Sequence, residues 1–294
     1  MTYPEEVIVY AGNDSLVFSG AGTGSKEELL VSESGIEGWY GTPDLKTGFT
    51  ERGTGDGAHD VQESAIMYAS RVVSLHFVAN AEDRAGLVRL FNRVGTVNHR
   101  MVRMRLRDGN GDTFVEGMCA VTVPGEYGRD GWLDDCLLTV TCPRPERLSW
   151  RVRSATLVPL LGNSGGLSYG SAGMGLVYPL DYGVDKPVQN QCVLTNAGSS
   201  PAFPVFTVQG PFSGPVRLVF SGSRSGEVGF EGNGERGAFV LDSRSRTMSM
   251  NGVDVSRRLS SRGFVSVPPG GSVTVTLLAA GDGWCRVEWR DTWI

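Results

Sequence analysis

Residues 66–79, Ile-Met-Tyr-Ala-Ser-Arg-Val-Val-Ser-Leu-His-Phe-Val-Ala, decide the fold class. Their odd positions, Met67, Ala69, Arg71, Val73, Leu75, Phe77 and Ala79, make one nearly apolar face. A repeat of two belongs to a strand with one buried side, because successive side chains of an extended chain point to opposite faces. The stretch therefore predicts one long strand, or two in line. Residues 80–95 predict the one convincing helix. Asn80 stands at the N-cap, Glu82 and Asp83 occupy the first turn, Leu87, Leu90, Phe91 and Val94 form one stripe, and Gly95 ends it. A hairpin comes next, with Val102, Met104 and Leu106 alternating with Arg103, Arg105 and Arg107, a turn over 108–112, and a return strand over 114–123. Residues 132–142 alternate again and stop at Pro143.

Beyond residue 143 the pattern breaks, and 161–175 is almost entirely Gly, Ser, Ala and Leu without a period, which is the composition of a connection. The expected organisation is an N-terminal domain over 1–150, a Gly-rich linker over 151–175 and a C-terminal domain over 176–294. Every later segment reads as strand: 191–195, 204–209, 216–220, 238–241, 247–250, 253–255, 273–278 and 285–289. Short strands separated by Gly, Pro and Asn indicate a β-sandwich. Asn251-Gly252 between 247–250 and 253–255 is the sharpest local signal, since a type I′ turn needs two residues that accept positive φ.

Composition narrows the function classes. The chain has 294 residues, 40% hydrophobic and 20% charged, which excludes a mostly disordered protein. No apolar run is long enough for a membrane span, and the acidic first ten residues lack a signal-peptide n-region, so neither is expected. Five cysteines without a C-x-x-C pair point to reduced thiols rather than a disulfide framework. A net charge of -5 argues against general nucleic-acid affinity. That charge is uneven. Residues 1–63 hold three basic side chains against twelve acidic ones, a net of -9, while the remainder sums to +4.

The short motifs that could carry chemistry fit poorly. Gly162-Asn-Ser164-Gly-Gly166 satisfies G-x-S-x-G, but no helix can follow it, so an esterase-like role for Ser164 is a distant third reading. Asp108-Gly-Asn-Gly-Asp112 opens like a calcium loop but has Thr113 and Cys119 where Gly and Glu are needed. Gly20-Ala-Gly-Thr-Gly24 lacks the third-glycine spacing of a dinucleotide fingerprint. Asp56, His59 and Asp60 offer metal-ligand atoms, yet sit in a glycine-rich loop where turn hydrogen bonds are the more ordinary use. The Arg103, Arg105 and Arg107 row reads as a solvated face paired with nearby acids. Trp284, Trp289 and Trp293 suggest a sugar platform, although Cys285, Val287 and Trp289 share one strand face, so that at least one tryptophan is expected in a core. Neither a catalytic residue, a metal nor a cofactor is expected.

Taken together, several stretches resemble the distal tail protein family of long-tailed, non-contractile bacteriophages. They are Gly35-Ile-Glu-Gly-Trp39-Tyr40-Gly-Thr-Pro-Asp44, Arg52 through His59, the strand and helix of 68–95, Val140-Thr-Cys-Pro-Arg-Pro145, Thr195-Asn-Ala-Gly198, Pro204 through Gly210, Leu241-Asp242 before Met250 through Asp254, and Pro269-Gly-Gly271. The resemblance implies a mainly β chain: a β-rich N-terminal belt domain with one helix, followed by a galectin-like β-sandwich. It implies a structural hub of a phage tail tip, a hexameric ring of self-contacts joining the tail tube protein to receptor-binding tail proteins. Such a ring would be assembled in the host cytoplasm, located in the virion, and traversed by genomic DNA without membrane insertion.

In the irregular arm from Gly35 to Asp60, Trp39 and Tyr40 are the candidate contacts to a neighbouring subunit, Trp39 as anchor, together with Asp56 and His59. Some of Glu27, Glu28, Glu33, Glu37, Asp44 and Glu51 are expected to line the channel, where like-charge repulsion would keep DNA from adhering. The alternative function is a carbohydrate-binding module acting directly in host recognition.

Overall fold

The computed structural model of the chain describes residues 5–62, 65–109, 111–125, 131–160, 190–232 and 237–294. It divides into two compact units, residues 1–151 with 293–294, and residues 152–292. Among the described residues there is one α-helix, and it is neither long nor apolar enough to cross a membrane.

In the first unit β1 (Glu6–Ala11), β2 (Asp14–Ser19), β3 (Glu27–Glu37) and β4 (Arg71–Ala81) precede the helix α1 (Arg84–Gly95). After it come β5 (Met101–Asp108), β6 (Gly111–Thr122), β7 (Trp132–Cys142) and β8 (Arg147–Ser149). The sheet runs β8-β6-β5-β1-β2-β3-β4-β7, and β7 pairs back onto β6, with Cys119 opposite Val140. Seven strands thus close a barrel and leave no free edge inside it. All its pairings are antiparallel except β2 with β3, which run parallel through Phe18 and Leu29.

Closure produces one core. Phe18 and Phe77 meet edge to face at 5.1 Å, surrounded by Val7, Val9, Leu75, Met104, Leu106 and Leu138. The helix buries Leu87, Leu90 and Val94 in the same cluster. Its cap is Asp83, whose carboxylate accepts from the Gly86 N–H at 2.7 Å. The expected N-cap, Asn80, is still inside β4, because that strand continues to pair with Glu28 on one side and Trp132 on the other. The acids at 82 and 83 therefore precede the first turn rather than fill it.

The second unit contains β9 (Arg153–Leu157), β10 (Gln191–Thr195), β11 (Val205–Gln209), β12 (Pro215–Gly222), β13 (Gly226–Glu231) and β14 (Ala238–Asp242). It continues with β15 (Thr247–Met250), β16 (Val253–Asp254), β17 (Leu259–Arg262), β18 (Ser272–Leu278) and β19 (Trp284–Trp289), followed by β20 (Thr292–Trp293). Two sheets, β10-β18-β12-β13-β17 and β16-β15-β14-β11-β19-β9, enclose one core. Phe206 of one sheet meets Phe220 of the other edge to face at 5.7 Å. This is a β-sandwich.

These elements bear on two expectations. The stretch read as a linker over 151–175 begins with a strand, β9, which pairs with β19 from Leu157 opposite Cys285 to Arg153 opposite Trp289. The rest of that stretch, with Ser164, lies outside the described residues. Trp289 is in the core and donates from Nε1 to the Thr195 carbonyl at 2.8 Å, whereas Trp284 points to the opposite face of β19. The platform of tryptophans is thereby dispersed.

Candidate functional site

Between β3 and β4 the chain leaves the barrel as an arm. Its two limbs pair as a ribbon: the Ala69 N–H donates to the Asp44 carbonyl at 2.7 Å, Lys46 to Met67 at 2.8 Å, and His59 to Thr50 at 2.9 Å. Isolated bridges join Leu45 to Tyr68 and Glu51 to Ala58. Two strands alone bury little, and this ribbon exposes large apolar side chains: Leu45 at 51%, Phe49 at 66% and Met67 at 60%. A cavity of about 340 Å³ opens among Thr42, Leu45, Phe49, Val61, Ile66 and Tyr68. Apolar surface concentrated on one projection marks a site of interaction.

The arm's root is fixed by Arg71, the one charged residue on the apolar face of β4. Its guanidinium is buried and donates from Nη1 to the carbonyls of Gly38 at 2.5 Å, Trp39 at 2.9 Å and Gly41 at 2.7 Å. Its Nε donates to the Pro145 carbonyl at 2.7 Å. Four carbonyls from two separate segments thus converge on one side chain. Burial, and then the neighbouring Arg147, push its pKa down from the usual guanidinium value. Gly38 has φ of +73°, and a Cβ there would overlap the Val72 carbonyl. Backbone contact, rather than flexibility, requires the glycine.

Trp39, the expected intersubunit anchor, lies inside the single chain. Its ring is fully buried in the core of its own unit, so no surface of it is left for a neighbour. Tyr40, next to it, is 61% exposed. Its hydroxyl donates to Asp108 Oδ2 at 2.9 Å, and the Arg147 guanidinium lies 5.0 Å from its ring centre. Partial burial and the Asp108 carboxylate raise the phenol's pKa. Asp56 and His59 are exposed near the ribbon's tip. Asp60 is engaged by Arg52 at 3.1 Å rather than by His59, and no group of metal-ligating side chains forms among the described residues.

The six acids expected in a channel do not form one cluster. Glu27 pairs with Arg89 of α1 at 2.6 Å. Burial is the largest single influence on Glu28 and raises its pKa, but the bonds it accepts from the Thr23 N–H, from Asn80 and from the Thr23 hydroxyl together outweigh it and lower the pKa. Glu37 lies 3.8 Å from His76 near the other end of β3. Glu33 is exposed, while Asp44 and Glu51 stand on the arm. The arginine row is neutralised across its own sheet, Arg103 by Glu116, Arg105 by Asp112 at 2.6 Å and Arg107 by Glu6 at 2.8 Å.

Thr195-Asn-Ala-Gly198 also has a structural use. Buried Asn196 donates to the carbonyls of Ser200 and Val267 and accepts from the N–H groups of Gly198 and Thr292. Asp291 accepts from the Ala197 N–H at 2.9 Å and from Arg153 at 2.8 Å. Sequence reasoning missed Arg71 and the apolar residues of the arm, although a lone arginine on an apolar strand face was a readable signal.

No family model and no curated protein matches the chain. Among solved structures, it is similar to the Dit protein of phage SPP1, described as a paradigm of the hub adsorption apparatus in phages that infect Gram-positive bacteria. The TM-score is 0.59 at 13% identity, over 98% of this chain and 99% of that one. The baseplate of phage P2 in its activated conformation also aligns, with a TM-score of 0.48 at 10% identity over 96% and 97% of the two chains. The fold is thus similar to that of SPP1 Dit.

Proposed function

We propose that the chain is a structural hub of a phage tail tip, assembling as a hexameric ring that joins the tail tube protein to the receptor-binding tail proteins. The observation that carries this reading is the likeness to the SPP1 Dit fold over both units, barrel and sandwich alike. The arm supports it. A closed barrel offers no internal edge for association, whereas the ribbon exposes Leu45, Phe49 and Met67. Tyr40, Asp56 and His59 remain candidate contact residues on or beside it.

Within such a ring Glu33 and Glu37 are the acids of β3 best placed to face a channel, since Glu27 and Glu28 are engaged by Arg89, Thr23 and Asn80. Genomic DNA would pass them without adhering. Enzymatic chemistry has no support in the thiols, all five of which are held protonated by burial.

Electron microscopy of the purified full chain tests the reading. Closed rings of uniform size are expected. Monomers whose melting temperature rises with host wall polysaccharide would favour the carbohydrate-binding alternative instead.

A further inference from the structure

The arm and the helix α1 stand at opposite ends of β4, the arm entering at Arg71 and the helix following Ala81. Ten residues of extended chain separate their attachment points by about 33 Å, and Leu45, Phe49 and Val88 all remain exposed in the single copy. The surfaces of arm and helix match. The helix carries Arg84, Arg89 and Arg93 and no carboxylate, with Val88 exposed at 44% between them. Glu27 pairs with Arg89. The arm carries Asp44, Glu51 and Asp56, which form no ion pair among the described residues, beside the apolar cavity of Leu45 and Phe49.

Resting on the ring reading above, we propose that the arm of one copy caps the outward face of α1 on the next copy. Leu45 and Phe49 cover Val88, and Asp44 and Glu51 approach the arginines on either side. Complementary patches at opposite ends of one unit make a head-to-tail contact, and such contacts generate rings when the rotation closes. Desolvating the cationic face beside carboxylates of the next copy fixes the orientation as well as the partner. The ribbon gains the third layer that a two-stranded element needs for stability.

Full-length Phe49→Cys and Val88→Cys proteins, mixed and treated with a short bismaleimide, test this contact. Both positions are solvent-exposed, so neither substitution disturbs a core. Covalent dimers are expected only when both variants are present, and in neither variant alone. A second pair, Asp44→Cys with Arg93→Cys, leaves the apolar contact intact and is expected to give covalent dimers likewise. Rings of normal size that yield no cross-link from either pair would overturn the docking while leaving the hub reading in place. A wild-type chain that stays monomeric under the same conditions would overturn both.

Discussion

Arg71 Nη1 donates to the Gly41 carbonyl at 2.7 Å, tying the first residue of β4 to the point where the arm leaves the barrel. A planar guanidinium reaches Pro145 from Nε while Nη1 serves the arm, and a lysine ammonium has no such fork. Arg71→Lys is expected to cost the first unit about 2–4 kcal/mol, because buried carbonyls lose a charged donor. Calorimetry on the full chain reads this as a lowered first transition. An unchanged profile would show that the arm's root is held by something else.

Trp39→Ala is expected to destabilise the chain by about 3–5 kcal/mol, the usual range for emptying a large aromatic site in a core. Trp39→Phe is expected to cost far less, since Trp39 Nε1 is buried without a hydrogen-bond partner among the described residues. Denaturant unfolding separates the two variants. If Trp39→Ala left unfolding untouched and only dissociated the assembly, its ring would be an interface anchor after all.

The contrast between Trp39 and Asn251 shows what the sequence made legible. Asn251-Gly252 demanded positive φ, and the structure has +51° and +80° there, joining β15 to β16. Local chemistry determines such a turn, and it is readable residue by residue. Strand periodicity was equally readable, from β4 to β19, and with it the mainly β fold. Barrel closure was not, because the β6 to β7 and β2 to β3 pairings join strands whose partners no local pattern specifies. The burial of Trp39 failed for the same reason. A tryptophan in a glycine-rich loop reads as exposed until Arg71, more than thirty residues away, is seen to fold that loop onto the core. The helix start was misplaced by three residues because strand pairing held Asn80 and left Asp83 to cap.

Burial pushes Cys119 and Cys136 up to about 12 and Cys142 and Cys192 up to about 11, with Cys285 shifted in the same direction. A raised folded-state pKa contributes stability in full below the ordinary thiol value of 9.0 and loses it as pH climbs through the folded values. Stability is therefore expected to fall between pH 9 and 12, and native protein at pH 8 is expected to react slowly with a disulfide reagent. Guanidinium should release all five thiols. Fast native-state labelling at pH 8 would contradict the burial.

Glu33→Lys with Glu37→Lys tests the proposed channel. Among the described residues neither carboxylate has a short ion pair, the nearest being Glu37 with His76 at 3.8 Å, so stability is expected to change by less than about 1 kcal/mol. The ring is expected to assemble and to acquire DNA affinity that declines steeply with salt. Rings without new affinity would place both residues outside the channel.

Mass measured in solution at successively lower protein concentration tests the central claim most directly. The account predicts a discrete species of six times the 31.5 kDa chain, persisting on dilution and giving way to the single chain without a ladder of open intermediates. A single-chain mass at every concentration, or an open series growing with concentration, would contradict it.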